Sequence, residues 1–234
     1  MIQLQKNKKD FIECLTCIEN LTDEVSIMFN SEKIFIRAVH PSNHCMLILN
    51  IKPTLFESYN VTKEIVYTLN ISLLLKILKS SKNDMITLTP ENDVLNFVTN
   101  KSQYTLNYYV GMKDDRPELN FEHKTKLKVD SNILFDTVSS CLDFDQIGAF
   151  ELSPTQVWLQ SKAHMIKSKL VLDVLSLKGI EDKVFFDFTY INIIKNIKNI
   201  FNNIELGLDN EFPLVIIGTN DNINFKFILA NRVE

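Results

Sequence analysis

Apolar residues along the chain follow two rhythms. Over KKDFIECLTCIENL, Lys8 to Leu21, they recur every three to four positions, which predicts an amphipathic helix. The next stretches, TDEVSIMFN and KIFIRAV, alternate between apolar and polar residues and predict two half-buried strands joined by a turn. The same helix, strand, strand order returns in SNILFDTVSSCLDF, Ser131 to Phe144, followed by DQIGAFELS and TQVWLQS. Lys8 to Ser131, Thr22 to Asp145 and Ser31 to Pro154 are each 123 positions apart (131 minus 8, 145 minus 22, 154 minus 31).

A second block repeats as well. EIVYTLN ISLLLKILKSS, Glu64 to Ser81, matches KVFFDFT YINIIKNIKNI, Lys183 to Ile200, at an offset of 119 (183 minus 64). In each copy a strand runs into a helix with one apolar face, Leu74, Leu75 and Leu78 matching Ile193, Ile194 and Ile197. Lys76 and Lys79, three apart, share the opposite face, and Lys195 and Lys198 occupy the matched positions.

The economical reading is an α+β chain of two similar domains, each built from antiparallel sheet and two helices. The expected boundaries are 1–111 for the first domain, 112–124 for a connector and 125–234 for the second. The connector is charged from Met112 to Lys124, contains Pro117 and has no period. Leu119 and Phe121 stand out as apolar in it and are expected to pack back onto the body.

Composition changes this picture little. Apolar residues make up 45% and charged residues 23%, which places the chain among folded globular proteins. No signal-like or membrane-spanning run is visible, so an intracellular protein with no membrane partner is expected. Four cysteines, Cys14, Cys17, Cys45 and Cys141, are too sparse for a disulfide framework. A net charge of -4 excludes a chain that grips DNA over its whole surface and confines any such contact to a local patch.

No constellation points to catalysis. The histidines, His40, His44, His123 and His164, lie in no nucleophile, zincin or nucleotide-binding context, and Asp143 and Asp145 fit caps or solvated charges at a turn. A regulatory metal site on Cys14, Cys17, His40 and His44 is the alternative of a different class. The pairs are too far apart for a compact finger, and the cysteines fall inside a helix. No enzyme activity and no cofactor are expected.

Several segments, in order, resemble the proliferating cell nuclear antigen family of DNA sliding clamps. ISLLLKILKSSKNDMITL is similar to the family's L-x-x-x-x-K-I-L-K segment with its acidic turn and I-T-L strand. NEFPLVIIGTNDNINFKFILANRVE resembles the closing P-L, aromatic strand and L-A-P-K. His40-Pro41-Ser42-Asn43, the connector PELNF and the Tyr190-Ile191-Asn192 helix start also agree in position.

The resemblance implies a pseudo-sixfold ring of three protomers, as homotrimer or heterotrimer with related subunits, encircling double-stranded DNA without reading its sequence. Partners would be DNA polymerase, clamp loader, ligase and flap nuclease, docking by short peptides. A checkpoint-type clamp that marks DNA damage is the neighbouring alternative.

On this reading Lys8, Lys9, Lys76, Lys79, Lys82, Lys195 and Lys198 face DNA, long flexible cations attracting phosphates loosely enough to permit sliding. Carried over by position, the peptide pocket comprises Val39, His44, Met46, Leu119, Pro213, Ile228 and Ala230. His44 departs from the usual aliphatic residue there, and Asn231 from the proline of the ending. Subunits are expected to meet edge to edge through SQYTLNYYV and MIKSKLVLDV, with Tyr108, Tyr109 and Leu170 at the contact. The helix from Ser131 carries Asp136 and Asp143 and no basic residue, which would weaken a positive lining unless other subunits supply charge.

Overall fold

A computed structural model describes residues 1–81, 84–91, 94–117, 119–162, 166–179 and 182–232. The chain divides into two compact units. Met1–Pro41, Leu47–Arg116 and Asn220–Phe225 make the first; Ser42–Met46, Pro117–Thr219 and Lys226–Glu234 make the second.

The first unit contains β1 (Ile2–Leu4), helix α1 (Lys8–Glu19), β2 (Glu24–Phe29), β3 (Ile34–Val39) and β4 (Cys45–Ile51), which begins in the second unit. It continues with β5 (Ser58–Tyr59), β6 (Ile65–Asn70), helix α2 (Ile71–Ser80), β7 (Ile86–Glu91), β8 (Val94–Val98), β9 (Gln103–Asn107) and β10 (Tyr109–Val110). One sheet runs β5-β1-β7-β8-β9 and the other β10-β6-β2-β3-β4. SQYTLNYYV, which reads as one strand in the sequence, breaks at Tyr108. Tyr108 is buried with its ring 4.1 Å from that of Tyr67, and this inward packing turns β10 onto β6 while β9 stays at the edge of the other sheet.

The second unit contains β11 (Thr125–Asp130), α3 (Ser131–Leu142), β12 (Ile147–Leu152), β13 (Val157–Lys162), β14 (Lys167–Leu172), β15 (Val174–Lys178), β16 (Asp182–Asp187), α4 (Phe188–Ile193), β17 (Asn203–Leu208) and β18 (Leu214–Thr219). Its sheets run β14-β13-β12-β16 and β18-β17-β11-β15. The last strand, β19 (Ile223–Leu229), passes from the first unit to the second at Lys226.

The repeat predicted at 123 holds at the level of elements. α3 starts 123 positions after α1 (131 minus 8), β12 after β2 (147 minus 24) and β13 after β3 (157 minus 34). The other repeat is 117 at its start, not 119: α4 follows α2 by 117 (188 minus 71), as β16 follows β6 (182 minus 65). The reason lies in the buried spacing. In α2 the inward residues are Ile71, Leu74, Leu75 and Leu78, whereas Phe188, Ile191, Ile194 and Ile197 are buried three apart. A strict period of three suits a 3₁₀ helix, and α4 gives way to one at Lys195–Asn199, which absorbs the two extra residues. Lys195 and Lys198 therefore sit on 3₁₀ turns.

Among the described residues strand runs directly into helix at three places, and the last strand residue caps the helix that follows. Asn70 accepts the Leu73 N–H at 3.0 Å, Asp130 the Asn132 N–H at 2.8 Å and Asp187 the Thr189 N–H at 3.0 Å. Each satisfies an amide that the helix leaves open. Strand interiors alternate as expected; in β11 Thr125, Leu127 and Val129 are buried and Lys126 and Lys128 exposed.

Candidate DNA-facing helices and partner pocket

In the first unit, Lys76 and Lys79 of α2 are exposed, as is Lys9 of α1. Lys6, Lys9 and Lys79 line one groove between the two helices. Lys8 is a correction: it is only 5% exposed, and its ammonium donates to Ser81 Oγ at 2.9 Å and the Asp84 carbonyl at 3.0 Å. Burial lowers its pKa, partly offset by Asp84. Lys8 staples the start of α1 to the end of α2 and does not offer its charge outward. Lys82 lies outside the described residues, as does His164.

In the second unit Lys195 is exposed, while Lys198 is half-buried and paired with Asp136 of α3 at 3.2 Å. The sequence gives no hint of this pair, because the partners are 62 positions apart. α1 also offers carboxylates, Asp10, Glu13 and Glu19, at half-buried positions. In the first unit Lys9, Lys76 and Lys79 share the accessible helix positions with Asp10, Glu13 and Glu19, and in the second Lys195 and Lys198 accompany Asp136, so the positive field of each is weaker than its lysines alone imply.

The expected pocket residues are divided between the two units. Val39 lies in the first unit and is half-buried on β3, where it lines a cavity of about 920 Å³ with Arg37, Tyr109, Met112 and Asp114. The others belong to the second unit. His44 is exposed, its Nδ1 3.3 Å from the Tyr190 hydroxyl, and its carbonyl accepts the Ala230 N–H at 2.9 Å. Met46 and Pro213 are half-buried and Ala230 exposed. Ile228 is a correction, at 6% exposure part of the core on the densely buried end of β19.

Leu119 is a second correction: it does not pack down but is 42% exposed, its carbonyl taken by the Lys226 ammonium at 2.6 Å. Phe121 does pack back, 5.9 Å from the Phe212 ring. Asn231, in place of a proline, uses its amide to hold the Asp209 and Asn210 carbonyls at 2.9 and 3.2 Å.

The connector is also tied down in the first unit. Asp114 accepts from Arg116 Nε at 2.9 Å and from Arg37 Nη1 at 3.1 Å. The Arg116 hydrogen bond, with Arg37 behind it, holds the Asp114 carboxyl at about 2. A carboxyl depressed on folding stabilises above its unfolded value and loses that contribution as pH falls through the folded one. The contacts of Asp114 with Arg37 and Arg116 are therefore expected to hold down to pH ~4 and to be lost between ~4 and ~2, followed through the Asp114 carboxyl resonance by NMR. An Asp114→Asn chain lacks this contribution, so its melting temperature should lie below the parent's at pH ~7 and converge with it near pH ~2.

Of the interface candidates, Tyr109 is 73% exposed, Leu170 half-buried, and Tyr108 is a correction, since it packs inside its own unit. β9 and β14 are both edge strands with one side unpaired among the described residues. The metal alternative fares poorly: Cys14 and Cys17 are fully buried on the inner face of α1, and burial pushes the Cys14 thiol well above its ordinary range.

Strand and helix repeat in both units, and this is the fold seen in proliferating cell nuclear antigen structures. The fold matches a chain of the PCNA2–PCNA3 complex from Sulfolobus tokodaii with a TM-score of 0.89 at 20% identity, covering 100% of this chain and 99% of that one. Residues 5–118 match the model for the proliferating cell nuclear antigen N-terminal domain. The DNA polymerase sliding clamp of Thermococcus fumicolans is 24% identical over 97% of this chain and 96% of its own length. That of Thermococcus onnurineus is 35% identical over 75 residues, 32% of this chain and 30% of the relative. Over nearly its whole length the chain is thus similar to proteins named DNA polymerase sliding clamps, and over residues 5–118 to the proliferating cell nuclear antigen N-terminal domain.

Proposed function

We propose that this chain is a protomer of a sliding clamp that encircles duplex DNA and tethers DNA polymerase to it. The observation that carries the reading is the end-to-end similarity to proteins named DNA polymerase sliding clamps, on a chain that repeats one strand-and-helix design in two units. In this role retention comes from topology, and Lys9, Lys76, Lys79, Lys195 and Lys198 supply a loose, screened attraction to phosphates. The edges of β9 and β14 join neighbouring subunits. Ligase, flap nuclease and clamp loader dock by short peptides near His44, Leu119 and Ala230, and the chain performs no chemistry itself.

Assembly with related subunits is favoured by the near balance of acid and base on its accessible helix positions. Three identical copies would line a hole with little net charge, and other subunits can correct that. Light scattering of the chain alone and mixed with clamp paralogues from the same source is expected to give a trimer mass only in the mixture. Polymerase extension on primed circular DNA should rise with the mixed ring. A chain that stays monomeric in every mixture would sink the proposal.

A further inference from the structure

The open face of the sheet β18-β17-β11-β15 carries a cluster of positive charge that the clamp reading does not use. Lys126 and Lys128 point outward from β11. Across the ladder on one side Lys126 faces Lys178 of β15 and Lys128 faces Ser176; on the other they face Gly207 and Glu205 of β17. Like charges directly opposite one another cost stability. Even so, Lys126, Lys128 and Lys178 make no ion pair among the described residues, in a chain whose net charge is -4.

The face is also concave. A cleft of about 350 Å³ opens there, floored in part by Val215 and Ile217 and walled by Phe121 and His123 of the connector. Gly207 makes room for the wall, since a Cβ there would run into the His123 ring. His123 Nε2 donates to the Pro213 carbonyl at 2.8 Å, which fixes the ring. Lys226, at the rim, holds the backbone of the same wall through Leu119 O at 2.6 Å and Asn120 Oδ1 at 3.0 Å.

We propose that this cleft binds an extended acidic segment of a partner protein, with carboxylates on alternate residues meeting Lys126, Lys128 and Lys178 and a flanking apolar side chain on Val215 and Ile217. The spacing fits: residues two apart on an extended segment lie roughly 6.6 Å apart, the same step that separates Lys126 from Lys128. A rim of cations around a partly apolar floor selects an acidic and apolar strand over a purely charged one. Single-stranded nucleic acid fits less well. Phe121 is the one phenyl ring of the lining, too few for successive bases to stack on, and Glu205 sits at the rim against phosphate.

The test uses the whole chain by itself, so its outcome is independent of ring assembly. The probe is a fluorescein-labelled peptide, Phe-Thr-Glu-Ser-Glu-Ser-Phe, whose near-symmetry removes the question of direction, titrated by anisotropy at low ionic strength. Saturable binding is expected, weakened about tenfold in Lys126→Gln/Lys178→Gln and again by added salt. Lys167→Gln/Lys183→Gln, which lowers net charge equally but away from the cleft, should bind as the parent does. Removing the facing lysines relieves a repulsion, so the melting temperature of the first variant should not fall. Equal binding by both variants, absence of saturable binding, or tighter binding of an oligothymidylate than of the peptide would each overturn the proposal.

Discussion

Phe188→Ala is expected to destabilise the second unit by about 3–5 kcal/mol. Phe188 opens α4 and is fully buried. Its ring meets that of Phe150 edge-on, with centroids 5.8 Å apart at 74°, and Phe150 meets Phe186 at 6.0 Å. Truncation removes one end of this aromatic row and leaves a void between helix and sheet.

The opposite face of the ring makes the second half of the test. Gly148 of β12 lies under Phe188, and a Cβ there would run into three ring carbons. Gly148→Ala is therefore an overpacking change, costing about 1–3 kcal/mol. Joined with Phe188→Leu, which gives the new methyl room, it should cost less than the sum of the two single changes, because the residues share one space. Urea unfolding followed through Trp158, the only tryptophan and a β13 residue, reports on the unit that contains the stack. Additive costs would mean that Phe188 and Gly148 do not press on one another.

Phe188 also marks where reasoning from the sequence stops. The duplicated helix and strand blocks were legible because burial writes itself as period, in α1 against α3 and in β2 against β12. The lysine face of α2 was legible for the same reason. The offset of the second block was misjudged because Ile193-Ile194 and Ile197 imitate an α-helical stripe, whereas the buried residues run at intervals of three from Phe188. Only packing against β12 selects between them.

Long-range polar pairs left no local trace at all. Lys8 looks like any exposed lysine at a helix start until Ser81 and the Asp84 carbonyl are seen to enclose its ammonium. Tyr108 and Leu119 were mistaken in opposite directions, one for an exposed contact and one for an anchor. In each case a partner remote in sequence, the Tyr67 ring or the Lys226 ammonium, sets the direction of the side chain. Alternation alone could not choose.

The Lys198–Asp136 pair leads to an expectation of opposite signs. Lys76→Glu/Lys79→Glu reverses two exposed charges on one face of α2, and DNA affinity of the assembled ring should drop by an order of magnitude or more at low salt. Its salt dependence should become shallower by about 2 in the log–log slope, roughly one per lost lysine contact. Asp136→Asn should do the reverse. With its partner at 3.2 Å neutralised, the Lys198 ammonium is returned to the surface, and both affinity and slope should rise, the slope by up to about 1. The pair is largely exposed on the Asp136 side, so its loss should leave the folded state nearly as stable. Binding of the ring to linear duplex over a salt series, together with polymerase stimulation on primed circles, reads both effects. An Asp136→Asn ring that binds DNA no better than its parent would place Lys198 off the DNA path, and Lys195 would then be the second unit's sole cation among those assigned to it.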